Sequence, residues 1–167
     1  RRRQVREVLV GLGVSEAMPN PFLAPDELER AGLSGPHLSI TNPLAVEESA
    51  LRTSLRPGLL KALSYNESHR REGVALFEIG HTYPPSEEEL PDEQEVLAVV
   101  LAGCEAPAAV AVWDEVCAAL GVGAQLDQSS PGEGMHPTRS ATLRAGRDLL
   151  GVVGEVHPAV LAAFEVS

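Results

Sequence analysis

The sequence predicts an α+β fold, a mostly antiparallel sheet flanked by helices, on three observations. Apolar spacing switches repeatedly between a helical period and a strand period. The strand-like runs come in pairs whose connections are too short for parallel crossovers. With 167 residues, 44% apolar and 22% charged, the chain is sized and balanced for one globular domain with a real core, expected to span residues 1–167.

Val5, Val8, Leu9 and Leu12 recur at helical spacing among Arg and Glu, and Gly11 and Gly13 follow, so residues 2–12 are predicted as an amphipathic helix. The stretch 18–36 holds four prolines, which favour extended chain at its start. Pro25-Asp26-Glu27-Leu28 then opens a short helix, with proline first and acids in the first turn. Residues 37–41, HLSIT, alternate as a short strand, and Asn42-Pro43 signals a turn. Glu47 and Glu48 suit a helical first turn. Ser54 is the expected N-cap of a helix that carries Pro57 and Gly58 in its first turn and runs to His69. Leu55, Leu59, Leu60 and Leu63 make its apolar face.

The period then becomes two. Val74, Leu76, Phe77, Ile79 and Tyr83 mark a strand, broken at Gly80 or continued past it as a bulge. Residues 84–94, PPSEEELPDEQ, form an acidic, proline-rich loop, and 95–103, EVLAVVLAG, a buried strand. A helix over 110–120 places Val112, Trp113, Val116, Cys117 and Leu120 on one face and stops at Gly121. After a loop at 129–138, the runs 139–146 and 149–157 form a hairpin about Gly146-Arg147-Asp148, and Pro158 opens a last helix to 166.

The formal net charge of −11 opposes phosphate binding over most of the surface. Its distribution is uneven. Leu51 to Arg71 carries Arg52, Arg56, Lys61, Arg70 and Arg71 against Glu67, whereas Glu87 to Glu95 holds six acids and no base. A nucleic acid would meet Arg1 to Arg6 or the first of these stretches, but this basic helix is expected rather to face an acidic partner protein or water. No apolar run reaches membrane-spanning length, and the basic-then-apolar start lacks a signal peptide's long apolar region and cleavage site. Because the sequence opens on Arg1 rather than Met, it is expected to be a piece of something longer. Cys104 and Cys117 lie in apolar surroundings without metal or redox spacing, and are read as reduced, packed thiols of a cytoplasmic protein.

Catalytic motifs fare poorly. His81, His136 and His157 lack the spacing of a zinc site, and a histidine before proline more often caps or packs a turn. Ser54 has no nucleophile elbow. Glu78 and Glu155 on facing strands could form a carboxylate pair, but each more readily accepts hydrogen bonds from turn backbone or pairs with an arginine. No glycine-rich phosphate loop is present. No metal site and no catalytic residue is assigned.

Five motifs in order nevertheless form a pattern: Asn42-Pro43-Leu44; Leu51-Arg52-Thr53-Ser54-Leu55 with Pro57-Gly58-Leu59-Leu60; Leu76-Phe77-Glu78-Ile79-Gly80; His136-Pro137-x-Arg139; and Gly154-Glu155-x-His157-Pro158. With Trp113-Asp114 opening a helix, they resemble the core domain of the bacterial phenylalanyl-tRNA synthetase β subunit, from Val5 to about Leu161. The chain departs from that pattern at Ala45, where the family usually has Ser, at Arg56, where it has Leu, and after Asp114, where a Lys-Gly is common.

The resemblance implies a fold similar to a class II aminoacyl-tRNA synthetase catalytic domain that does not itself catalyse. It implies packing against a catalytic α subunit in an (αβ)2 assembly. ATP and magnesium would be used by the holoenzyme and not by this fragment, and tRNA would bind mostly outside it. The residues agree with inactivity: activation of an amino acid by ATP needs cations aimed at the α-phosphate, and the strand that would supply an arginine reads Leu-Phe-Glu-Ile-Gly. The motif residues, including Leu55, Pro57, Leu59, Glu78, Gly80, Arg139, Glu155 and His157, become candidates for a subunit interface. Arg52-Thr53-Ser54 would position a helix there. A stand-alone paralogue acting as a binding or regulatory module is the alternative.

Overall fold

The computed structural model describes residues 1–86 and 91–167. In chain order its elements are α1 (Arg2–Gly11), β1 (Ser15–Glu16), β2 (Phe22–Leu23), α2 (Glu27–Arg30), a 3-10 turn (Val46–Glu48), β3 (Ala50–Leu51), α3 (Arg56–Ser68) and β4 (Ala75–Thr82). There follow β5 (Gln94–Leu101), α4 (Ala106–Leu120), β6 (Gln125–Asp127), β7 (Met135–Ala145), β8 (Asp148–Val156) and α5 (Pro158–Ala163). Three sheets result, ordered β1-β4-β5, β2-β3 and β6-β7-β8. Among the described residues only the short β1–β4 pairing is parallel; the other pairings are antiparallel, as the short connections require.

Strand β4 organises the site because both of its faces are covered. Side chains alternate along a strand, so Phe77 and Ile79 point one way, into a core made with Val5, Leu9, Val14 and Val116. Phe77 and Leu9 are wholly buried, each worth about 2 kcal/mol of hydrophobic free energy. Glu78, Gly80 and Thr82 point the other way, where Glu78 and Thr82 are also buried. The ladder to β5 runs unbroken from Ala75↔Leu101 to Thr82↔Gln94, so Gly80 causes neither a break nor a bulge. Strand β5 is half-buried where a buried strand was expected, because it forms the sheet's edge.

Helix α4 starts four residues before the expected Val110, with Pro107 in its first turn, and ends as predicted at Gly121, in the left-handed region at φ 67°. Its single apolar face divides between two cores. Val112, Val116 and Leu120 pack with α1 and β4, whereas Val110 and Trp113 lie against Ala141, Leu143 and Val153 of β7 and β8. Cys117 is buried, and its burial together with the nearby Asp114 charge pushes the thiol up. Cys104 is exposed in the turn before α4 rather than packed. The β7–β8 hairpin turns on Gly146, at φ 62°.

Several boundaries differ from expectation. Residues 37–41 make no strand; an isolated bridge, Ser39↔Ala50, stands there, flanked by hydrogen bonds from Ile40 N–H to Ser49 O and from Leu51 N–H to Leu38 O. The flanking Pro36 and Pro43 lack the donors that would extend it. Strand β7 begins at Met135, inside the expected 129–138 loop. Pro137 sits there in a register irregularity, where its missing donor costs no ladder bond. Helix α2 begins at Glu27, two residues past Pro25, and α5 stops at Ala163. Of the acidic loop, residues 87–90 lie outside the described residues. No helix among the described residues is long and apolar enough to cross a membrane.

Candidate functional site

The buried face of β4 holds an ion pair. Arg52 follows β3 and is fixed by its backbone: its N–H donates to Pro21 O at 3.3 Å, and its carbonyl accepts from Tyr83 N–H at 2.9 Å. Its Nη1 lies 2.7 Å from Glu78 Oε1, with both side chains under a tenth exposed, and its Nε donates to His81 O at 2.8 Å. The carboxylate is poorly satisfied. Oε2 has no hydrogen-bond donor, and Nη1 approaches Oε1 without hydrogen-bond alignment. Burial therefore pushes the Glu78 carboxyl above its ordinary value, and Arg52 opposes the rise only in part.

Gly80 explains its place in the Leu-Phe-Glu-Ile-Gly motif. A Cβ there would stand 2.5 Å from Arg52 Nη2 and 2.5 Å from Glu78 Oε1. The glycine gives the pair its space; backbone conformation does not require it. Glu78 and Glu155, expected on facing strands, lie on separate sheets, and each is paired with an arginine. Arg139 Nε donates to Glu155 Oε2 on the β7–β8 pair. That pair borders an open cleft of about 710 Å3, also lined by Gly103, Pro107 and Gly154.

The other motif residues divide into buried and exposed sets. Leu55, Pro57 and Leu59 are buried within this chain and have no surface to offer a partner. Thr53 is half-buried. Ser54 stands one position before the cap: Leu55 is the N-cap of α3, and Ser54 Oγ accepts from Arg56 N–H at 3.2 Å. His136 and His157 serve turns, with Nδ1 accepting from Thr138 N–H at 3.2 Å and from Ala159 N–H at 3.1 Å, the second capping α5. Asn42, Pro43 and Leu44 form an outward loop in which Leu44 is 100% exposed. Met18, Phe22 and Val46 are also exposed, and Asn20 Nδ2, donating to Glu48 Oε1, ties the 18–22 segment to the 3-10 turn beside Leu44.

One residue was missed as a structural element. Arg56 Nη1 donates to Ala31 O at 2.9 Å and to Glu133 O at 2.7 Å, clamping the end of α2 to the loop before β7. Burial lowers its pKa, with only Glu133 opposing. Gly32 and Gly134 make the approach possible, since a Cβ on Gly32 would come 2.6 Å from Gly134 Cα. The sequence signal was a lone cation in an apolar helix start.

This arrangement holds its two best-placed arginines, Arg52 and Arg139, against carboxylates, and no three His, Cys, Asp or Glu side chains converge among the described residues. The fold is like that of a class II tRNA synthetase core. It superimposes on a pyrrolysyl tRNA synthetase from Desulfitobacterium hafniense with TM-score 0.75 at 14% identity, covering 99% of this chain and 61% of that one. The family is narrower. All of residues 1–167 match the phenylalanyl tRNA synthetase beta chain CLM domain, and the chain belongs to that family. It is similar to the phenylalanine–tRNA ligase beta subunits of Geobacillus kaustophilus (32% identity over 99% of this chain) and of Brucella abortus (34% over 100%). In each case it spans 23% of the relative's length.

Proposed function

We propose that residues 1–167 form a single, non-catalytic core domain within a longer β subunit, scaffolding the catalytic α subunit of a cytoplasmic phenylalanine–tRNA ligase in an (αβ)2 assembly. ATP and magnesium serve the α subunit, and tRNA reaches the assembly largely through other parts. One observation carries the non-catalytic reading. Where an adenylating site needs a cation free to meet a phosphate, Arg52 is buried and engaged by Glu78 and His81 O.

The exposed motif residue Leu44 and its apolar neighbours carry the scaffold reading. Leu44, Val46, Met18 and Phe22 are exposed apolar side chains on two segments that the Asn20–Glu48 hydrogen bond ties together, and Leu44 and Met18 are the most exposed large apolar residues described. The α subunit is the occupant that the family supplies. The test is co-elution with that subunit. The wild-type chain pairs, whereas Leu44→Asp with Val46→Asp stays folded and elutes alone. Wild-type pairing by the double variant would refute the surface.

A further inference from the structure

The basic stretch from Leu51 to Arg71 does not face outward as a whole. Arg52 is held by Glu78, Arg56 by two carbonyls, and Lys61 by Glu27 at 2.9 Å. At the N-terminus Arg2, Arg3 and Arg6 are engaged by Glu95, Glu7 and Glu16. Arg70 and Arg71 are exposed and make no ion pair among the described residues. Glu67, the acid of the same stretch, is taken up by Ser167, whose N–H and Oγ donate to Oε2 at 3.0 and 3.1 Å.

These two arginines close α3 in a Schellman turn, with Arg71 N–H donating to Asn66 O at 3.1 Å and Arg70 N–H to Glu67 O at 2.8 Å. That turn puts Arg70 in the left-handed region at φ 57°, the position glycine ordinarily takes. One turn earlier Tyr65 is 66% exposed, its ring resting on His69 at 4.3 Å between centroids. His69 Nδ1 lies 2.8 Å from Tyr65 O, which holds the two rings together. Cations at a helix C-terminus complement its dipole. That accounts for charge at this end, but not for an open aromatic face beside it, nor for an arginine at glycine's position.

We propose that this end of α3 contacts unpaired RNA, with Tyr65 stacking on a base and Arg70 and Arg71 neutralising flanking phosphates. The proposal rests on the function proposed above only for the identity of that RNA as tRNA. An acidic protein partner fits less well. One helix end falls far short of the ~800 Å2 per partner that a stable protein interface buries, whereas one or two nucleotides need only a ring and a pair of cations.

The experiment is fluorescence anisotropy of labelled tRNA with the full-length subunit, alone and paired with its catalytic partner, over a salt series. Replacing both Arg70 and Arg71 by Glu weakens binding at least tenfold and flattens the slope of log K against log salt by about 1.4, at roughly 0.7 per phosphate contact on a single strand. Tyr65→Ala weakens binding about tenfold without changing the slope. Arg70→Gly suits the turn, so it keeps the fold while removing one cation; its slope falls by about 0.7. Arg147→Glu, at the β7–β8 turn, serves as the unaffected control. Wild-type affinity and slope in the Arg70 and Arg71 variants would overturn the proposal. So would variants that lose the catalytic partner while the subunit alone still binds tRNA normally, since the patch would then be a protein contact. Co-elution of wild-type subunits tests the scaffold reading separately.

Discussion

Replacing Gly80 by Ala tests whether the Arg52–Glu78 pair shapes this strand. Gly80 lies mid-strand without positive φ, a position where glycine is ordinarily the worse residue by ~0.5–1 kcal/mol. Backbone arguments alone thus predict stabilisation. The structure predicts the reverse, because the new methyl would lie 2.5 Å from both Arg52 Nη2 and Glu78 Oε1, a full ångström inside ordinary contact. Both groups are buried, so moving one aside separates the pair without bringing it to water. Overpacking costs about 1–3 kcal/mol, and a buried charge deprived of its partner about 3–5 kcal/mol. A net loss of about 3 kcal/mol is expected. Urea denaturation of the 167-residue chain measures it, with Gly151→Ala as control. On β8, a Cβ at Gly151 meets nothing within 4 Å, so that variant should be neutral or slightly stabilised. If Gly80→Ala matches the control, the pair does not govern the strand.

Two other outcomes follow from the same geometry. Gly154→Ala meets backbone, with its Cβ 2.3 Å from Arg139 O and 2.5 Å from Ser140 Cα at φ 131°, so it should cost at least ~2 kcal/mol and lower the melting temperature of the chain by several degrees. Glu78 sets a pH dependence: its folded pKa is raised, so the folded state binds more protons than the unfolded one and this contribution to stability falls as pH rises from the ordinary carboxylate value through the raised one. Glu133 and Asp127, lowered chiefly by their Ser34 and Ser129 hydrogen bonds, act in the opposite sense and lose stability as pH falls. Denaturation from pH 4 to 7 should therefore show a Glu78 component that Glu78→Gln removes; an unchanged profile would contradict the shift.

The long periodic segments were legible and the short ones were not. Helices α1 and α3, strand β4 and the β7–β8 hairpin each carry several residues of one period, so their cores could be named in advance. Strands β1, β2, β3 and β6 hold two or three residues each, too few to show alternation. Pro137 concealed the start of β7 because proline argues against a strand unless a bulge excuses it. At the site, the Leu55–Leu63 face was correctly read as apolar, but nothing along the chain shows whether such a face meets its own core or a partner. The pairing of Arg52 with Glu78 spans 26 residues, a separation at which sequence offers a list of possible partners and only the folded sheet selects one.

Whether this domain is a scaffold is read from the mass of the species formed when the chain meets phenylalanine–tRNA ligase α subunit on a sizing column with light scattering. A shared peak is expected, and it disappears when Leu44 and Val46 become aspartate while the circular dichroism of the chain is unchanged. Two separate peaks from the wild-type proteins would contradict the scaffold role.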